Sequence, residues 1–424
     1  MRLSLIYFRL IKLLAIALLT NQLVQPGAIA NPSTPKPVNS PTSTTSQESP
    51  KALVEEVWQK VEDSYIDAKL NQQDWNAVRQ RYLNRPYGSY EEAYQAIREM
   101  LKLLGDPLTR FFDPVEFKNL QVSSDVAGIG IQLSNDRETQ GVMIEPIENS
   151  PAQKAGILPE DIITTIDGKP VDRKTLNEVI ALLGGKVETS VTLGILRNGQ
   201  PITFRVQRAN IEIIPVRYRA EETAFGRVGY IRLNQFSAKA TQDMQAAIGA
   251  LEAQNVKGYI LDLRFNPGGV LFASINITRM WLDRGLIVST IDRNGIKDRH
   301  QANHRALTQK PLVILVNGNS ANGSEIVAAA LQENKRATLV GTRTFGNNLI
   351  QSRGPLQDGS GLVVTIAKWL TPTERDINHK GLNPDVVLEL TDRQRQDMVS
   401  DRSKMGTAAD PQFAKALEML NQKF

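Results

Sequence analysis

The sequence predicts a multidomain protein of mixed α/β and α+β class. A helical N-terminal segment leads into a small β-rich module, and an α/β core follows. Three observations carry that expectation. Apolar residues recur at helical spacing through 51–104. Short strand-like runs punctuated by glycine turns fill 124–208. Apolar strands then alternate with helical stretches through 211–390, the pattern of a sheet covered by helices. With 424 residues, 41% of them hydrophobic, the chain has room for two or three domains with cores. The net charge is +5, and Arg2, Arg9 and Lys12 account for three of it. The small remainder makes no case for nucleic acid as a partner. The chain has no cysteine, which excludes a thiol nucleophile, disulfides and thiolate metal sites. His300, His304 and His379 are too few and too dispersed for a metal site, and no cofactor is expected.

Residues 1–30 read as a secretory signal. A basic start precedes the apolar run Leu13–Leu19, and Ala28-Ile29-Ala30 offers small residues for cleavage before Asn31. The run is shorter than the ~20 residues a spanning helix needs, so no stable membrane span is expected after cleavage. The expectation is an exported protein of the periplasm or thylakoid lumen. Residues 31–50, dense in Pro, Ser and Thr, read as a disordered linker. Residues 51–120 read as helical. Leu53, Val54, Val57, Trp58 and Val61 form one stripe, and a second helix starts near Ser89 and runs to Leu104.

Residues 124–208 read as a PDZ domain. Gly128-Ile129-Gly130-Ile131 opens its first strand, where glycines let backbone N–H groups converge on a carboxylate and isoleucines fill adjacent pockets. Ala155-Gly156, Ile162-Ile163 and Asp167-Gly168 follow in PDZ order. A helix from Thr175 to Leu183 is expected to place Leu176, Ile180 and Leu183 along a peptide groove.

In the core (211–390), strands are expected at Val228–Leu233, Tyr259–Leu263 and Leu312–Val316, with a helix at Ala240–Leu251. The second strand ends at Asn266-Pro267-Gly268-Gly269. The third delivers the chain to Ser320-Ala-Asn-Gly-Ser-Glu-Ile326, and Thr344-Phe-Gly-Asn-Asn-Leu-Ile-Gln351 follows after a helix. A strand, a sharp turn and a helix N-terminus expose one side chain and aim free N–H groups at a ligand. Residues 391–424 read as a polar helical tail.

These stretches resemble the carboxyl-terminal-processing serine peptidases, Ser/Lys enzymes, and most of all their cyanobacterial and plastid members. In that family the first stretch reads Ser-Ala-Ser-Ala-Ser-Glu-Ile, and Phe-Gly-Lys-Gly-x-x-Gln follows. The resemblance puts the nucleophile position on Asn322, the base position on Asn347 and the amide that orients the base on Gln351. It makes Gly268, Gly269 and Gly323 the oxyanion-hole candidates. It also implies that the PDZ domain receives C-terminal tails of other proteins. One departure lies in the PDZ domain, where Leu183-Gly184-Gly185-Lys186 lacks the family's arginine.

A carboxamide accepts through its oxygen and donates through its nitrogen, and neither atom attacks a peptide carbonyl or takes a proton at neutral pH. Losing one member of such a catalytic unit costs on the order of 10⁶ in rate. The expectation is therefore a catalytically silent binder of exported C-terminal tails, able to shield them or to pair with an active paralogue. The alternative is an active processing endopeptidase with displaced residues, drawing on Ser320 or Ser324 and on Lys335 or Lys368. Ser324 is otherwise expected to cap the helix.

Overall fold

The computed structural model describes residues 49–121, 127–135, 142–147, 150–158, 161–172, 174, 176–211, 214–400 and 404–423. The signal segment and residues 31–48 of the linker lie outside the described residues. The linker's last two residues belong to structure instead. Ser49 caps the helix Pro50–Ser64, accepting from the Ala52 N–H, and Pro50 takes the first helical position. The stripe Leu53, Val54, Val57, Trp58 and Val61 is buried against the helices Trp75–Leu83 and Tyr90–Lys102, the latter capped by Ser89. The segment is not wholly helical, because Arg110–Phe112 forms a strand that pairs antiparallel with Gly361–Leu370.

Two sheets build the core. The first has six strands in the order Val216–Thr223, Gly226–Leu233, Gly258–Asp262, Leu312–Val316, Thr338–Gly341, Val386–Val387. Its first pair is antiparallel and every later pair is parallel. Parallel strands buried on both faces read as unbroken apolar runs, and all five residues of Leu312–Val316 are buried. Ile231, Leu261, Ile314 and Leu339 face the helices Ala238–Ala253, Leu271–Trp281 and Gly323–Glu333. Tyr230, Ile260, Val313 and Val340 face the helix Pro411–Asn421 through Phe413, Ala416 and Leu420. This corrects the reading of 391–424 as a polar tail. Its second helix is amphipathic and closes one face of the sheet.

The second sheet is antiparallel and was not legible in the sequence. Gly361–Leu370 is its spine. Arg110–Phe112 and Leu286–Asp292 pair with one edge of that spine and Leu349–Pro355 with the other, while Lys297–Gln301 extends it beyond Leu286–Asp292. The N-terminal helices pack on it through Leu362 and Val364.

The PDZ domain has the strand order Ile131–Asn135, Val142–Pro146, Ile162–Ile166, Ser190–Arg197, Gln200–Gln207, with Lys169–Pro170 added to the third strand. Ala127–Gly128 pairs with Ala209–Asn210 and brings its entry and exit together. Among the described residues no helix is long and apolar enough to cross a membrane.

Candidate functional site

The site forms where three loops meet at the C-terminal ends of the parallel strands. After Val316 the chain is held by its own short polar groups. Ser320 Oγ donates to the Leu263 carbonyl at 2.9 Å and accepts from the Asn317 N–H. The Asn266 carbonyl accepts from the Ala321 N–H and from Ser324 Oγ, joining this turn to the Asn-Pro-Gly-Gly turn. Between these two anchors sits Asn322, with φ 46° and ψ −106°. Side chains other than glycine rarely adopt such a conformation, and holding one there costs about 1–3 kcal/mol. Asn322 is the residue before the helix Gly323–Glu333, so the cap is here and not at Ser324. Ser324 lies inside the helix with its hydroxyl spent on the Asn266 carbonyl.

The residue that organises the site is Glu325, which sequence reasoning placed only as part of the aligning motif. It is fully buried. Its carboxylate accepts from the backbone N–H groups of Asn322 (3.0 Å), Gly346 (2.7 Å) and Asn347 (2.9 Å) and from Thr344 Oγ1 (2.5 Å). Burial pushes this carboxyl up to about 7, against the pull of those four donors. None of these partners is a cation. The Asn322 and Asn347 main-chain nitrogens donate to the same oxygen, Oε2. One carboxylate thus brings the two family positions together, although the whole helix Gly323–Glu333 and the strand Thr338–Gly341 lie between them in sequence. Gly346 lets this happen: with φ 86° its Cα approaches Gly381, and a Cβ there would lie 2.6 Å from the Gly381 nitrogen.

The side chains at those positions are engaged. Asn322 Nδ2 donates to the Leu349 carbonyl at 3.0 Å, and Asn347 Oδ1 accepts from the Leu349 N–H at 3.1 Å. Gln351 lies further along the same strand, and its Nε2 is buried without a hydrogen-bond partner among the described residues. Among the described residues no hydrogen bond joins Ser320 or Ser324 to Lys335 or Lys368. Ser320 and Ser324 both donate to backbone carbonyls. Lys368 Nζ is paired with Asp376 at 2.9 Å. Lys335 is exposed beyond the helix end.

The Asn-Pro-Gly-Gly turn lies directly against this turn. A Cβ on Gly268 would lie 2.7 Å from the Gly323 nitrogen and 2.9 Å from the Asn322 Cβ, so only glycine fits. Gly268 is corrected in one respect. Its N–H donates to Asn266 Oδ1 at 2.9 Å, so it contributes space to the site and not a free donor. Gly269 bridges Phe236 through its flanking groups, which leaves its own N–H turned away from that contact. Gly323 is the first residue of its helix, so its N–H has no intrahelical acceptor.

In the PDZ domain, Ile131–Asn135 ends the sheet, and among the described residues no strand pairs with its outer edge, where a strand could be added. Gly130 adopts φ 72° against Ser150, where a Cβ would clash at 2.3 Å. Ile129 is buried in the domain core, and Ile131 packs against that core while partly exposed. The groove helix begins at Leu176, and Thr175 lies outside the described residues, as does the Leu176 side chain. Its phase differs from expectation. Leu183 is a core residue beside the fully buried Val179, and Ile180 is exposed. Arg208 packs beside the C-terminal end of this helix. Its Nε donates to the Leu183 carbonyl at 2.8 Å, placing a cation at the helix C-terminus. A Cβ on Gly185 would lie 2.8 Å from that Nε.

Comparison with known proteins agrees with this architecture. Residues 227–388 match peptidase family S41, residues 127–207 a PDZ domain and residues 48–87 the tricorn protease C1 domain. A carboxyl-terminal-processing protease of Synechocystis sp. is 42% identical over 388 residues, covering 90% of this chain and 89% of that protein. The chloroplastic C-terminal processing peptidase of Tetradesmus obliquus is 36% identical over 353 residues, covering 79% and 76%. The solved structure of a photosystem II D1 C-terminal processing protease superposes with a TM-score of 0.71 at 34% identity, covering 87% of this chain and all of that one. The chain belongs to the carboxyl-terminal-processing peptidases of family S41, with a PDZ domain set between N-terminal helices and the peptidase core.

Proposed function

We propose that this member binds the C-terminal tails of exported or lumenal proteins and does not hydrolyse them. The observation that carries the proposal is that carboxamides stand at both reacting positions and each is tied to the main chain of Leu349. The nearby serine hydroxyls and Lys368 have other partners, which supports the same reading. The outer edge of Ile131–Asn135 supports capture of an extended tail, with the carboxylate end near Gly128–Ile131 and a side chain beside Ile180. Export rests on the sequence of residues 1–30. Such a protein shields tails or presents them to an active paralogue.

The test combines binding with a restored site. Tail peptides with a free carboxyl end should bind more tightly than their amidated forms, and no cleavage should follow. Asn322→Ser and Asn347→Lys installed together should give hydrolysis that neither change gives alone. Cleavage by the unaltered protein would overturn the proposal, and equal affinity for free and amidated peptides would remove carboxylate capture.

A further inference from the structure

We infer that Asn322 is a self-modification site, where the folded protein drives its own deamidation through a cyclic imide with Gly323. The chain has four Asn-Gly pairs, at 198–199, 294–295, 317–318 and 322–323. In such a pair the glycine nitrogen can attack the asparagine Cγ, because no side chain shields it. Folded structure normally prevents the attack by holding ψ far from the value that the five-membered ring demands. That ring contains Cα, Cβ, Cγ, the main-chain carbonyl carbon and the next nitrogen. It closes when Cβ and that nitrogen eclipse each other about the Cα–C bond. For an L-residue Cβ is offset from the main-chain nitrogen by about 120° about that bond, so eclipse falls at ψ of about −120°. Helices and strands are both far from that value, at ψ of about −42° and about +135° respectively. Asn322 lies at −106°, within about 15° of that ψ.

The surroundings keep it there. The Asn322 N–H is held by Glu325, and its carbonyl accepts from the Ile326 N–H. Ala321 before it and Ser324 after it are both anchored to the Asn266 carbonyl. Gly323 cannot be replaced by a larger residue without meeting the Phe236 ring at 3.0 Å. Its N–H has no intrahelical acceptor, and the helix dipole favours loss of the amide proton at that end. The turn that presents a nucleophile in this family thus presents an electrophile here.

The step balances without any cofactor. Hydroxide takes the Gly323 amide proton and becomes water, the nitrogen bonds to Asn322 Cγ, and as water returns a proton to Nδ2 the Cγ–Nδ2 bond breaks with ammonia leaving and hydroxide regenerated. Water then opens the imide. Attack at Cγ gives aspartate, and attack at the main-chain carbonyl gives isoaspartate. Either product loses the Nδ2 donor to the Leu349 carbonyl. Isoaspartate also lengthens the main chain between the two anchors on Asn266.

The test uses the purified chain at mildly alkaline pH, one sample native and one in denaturing urea, followed by peptide mass analysis over time. Asn198 and Asn294, both exposed, serve as internal references. Conversion at Asn322 should be about tenfold faster in the native sample than in urea, the signature of a preorganised geometry. The two references should show no such acceleration. A native rate at Asn322 equal to or below the rate in urea would overturn the inference.

Discussion

Two buried carboxylate clusters lie at the C-terminal ends of neighbouring parallel strands, and they are built on opposite principles. At the end of Gly258–Asp262, Arg264 is clamped between Asp262 (2.6 Å) and Asp410 (2.5 Å), with Tyr230 and Gln412 completing the shell. Burial pushes the Asp262 carboxyl up, but the Arg264 and Arg232 guanidiniums and the Tyr230 hydroxyl outweigh it and hold it below its ordinary range. At the end of Leu312–Val316, Glu325 has four neutral donors and no cation among them, and burial wins. The first cluster ties the C-terminal helix to the sheet, a structural duty that a fixed charge pair performs at any ordinary pH. The second holds two loops at the reacting positions of the family. It makes the geometry of those positions depend on one proton.

The largest expected effect comes from cutting the first cluster. Asp410 caps the helix Pro411–Asn421 by accepting from the Gln412 and Phe413 N–H groups, and it also holds the Gly406 N–H. Asp410→Ala leaves Arg264 buried with half of its countercharge gone, a loss of about 3–5 kcal/mol. Denaturant unfolding should show that loss equally at pH 5 and pH 8. A strongly pH-dependent loss would mean that the two clusters do not differ in the way described.

Removing the second carboxylate should cost less and carry a pH signature. Glu325→Gln keeps the shape but turns an NH₂ group toward at least one N–H donor, at about 2 kcal/mol. The sign follows from linkage. The folded carboxyl is raised from 4.5 to about 7, so between those values the unfolded chain gives up its proton first. The unaltered protein therefore loses stability as pH rises from 4.5 to about 7, and levels off above that. The variant lacks this contribution, so the gap between the two should narrow over that window. A gap that stays constant would show that Glu325 is ionised throughout.

Much of this was readable from local pattern. Leu312–Val316 is an unbroken apolar run bounded by Asn317-Gly318, and the strand and the turn after it follow from that alone. Ser89 before Tyr90-Glu91-Glu92 announces a helix start by its cap chemistry. What stayed hidden depends on partners far along the chain. Arg264 and Asp410 are 146 residues apart. Glu325 draws donors from residues 344, 346 and 347, two of them backbone groups that leave no mark in the sequence. The groove helix failed for another reason. Leu176, Val179, Ile180, Leu182 and Leu183 are apolar nearly all round, so periodicity does not tell Val179 and Leu183, which face the core, from Ile180, which faces out.

The smallest expected effect concerns a link that belongs to neither cluster. Ser324 Oγ donates to the Asn266 carbonyl at 2.8 Å, a backbone partner and not a lysine. Ser324→Ala removes one hydrogen bond and leaves that carbonyl still accepting from the Ala321 N–H, so the loss should be about 1 kcal/mol. Tail-peptide affinity should not change, because Ser324 lies in the peptidase core and not in the PDZ groove. The same variant discriminates between the two readings of the site. A structural serine gives only the small stability change. A displaced nucleophile would abolish a measurable hydrolysis while leaving binding intact, and that outcome would restore catalysis to this chain and make Glu325 part of a working active site.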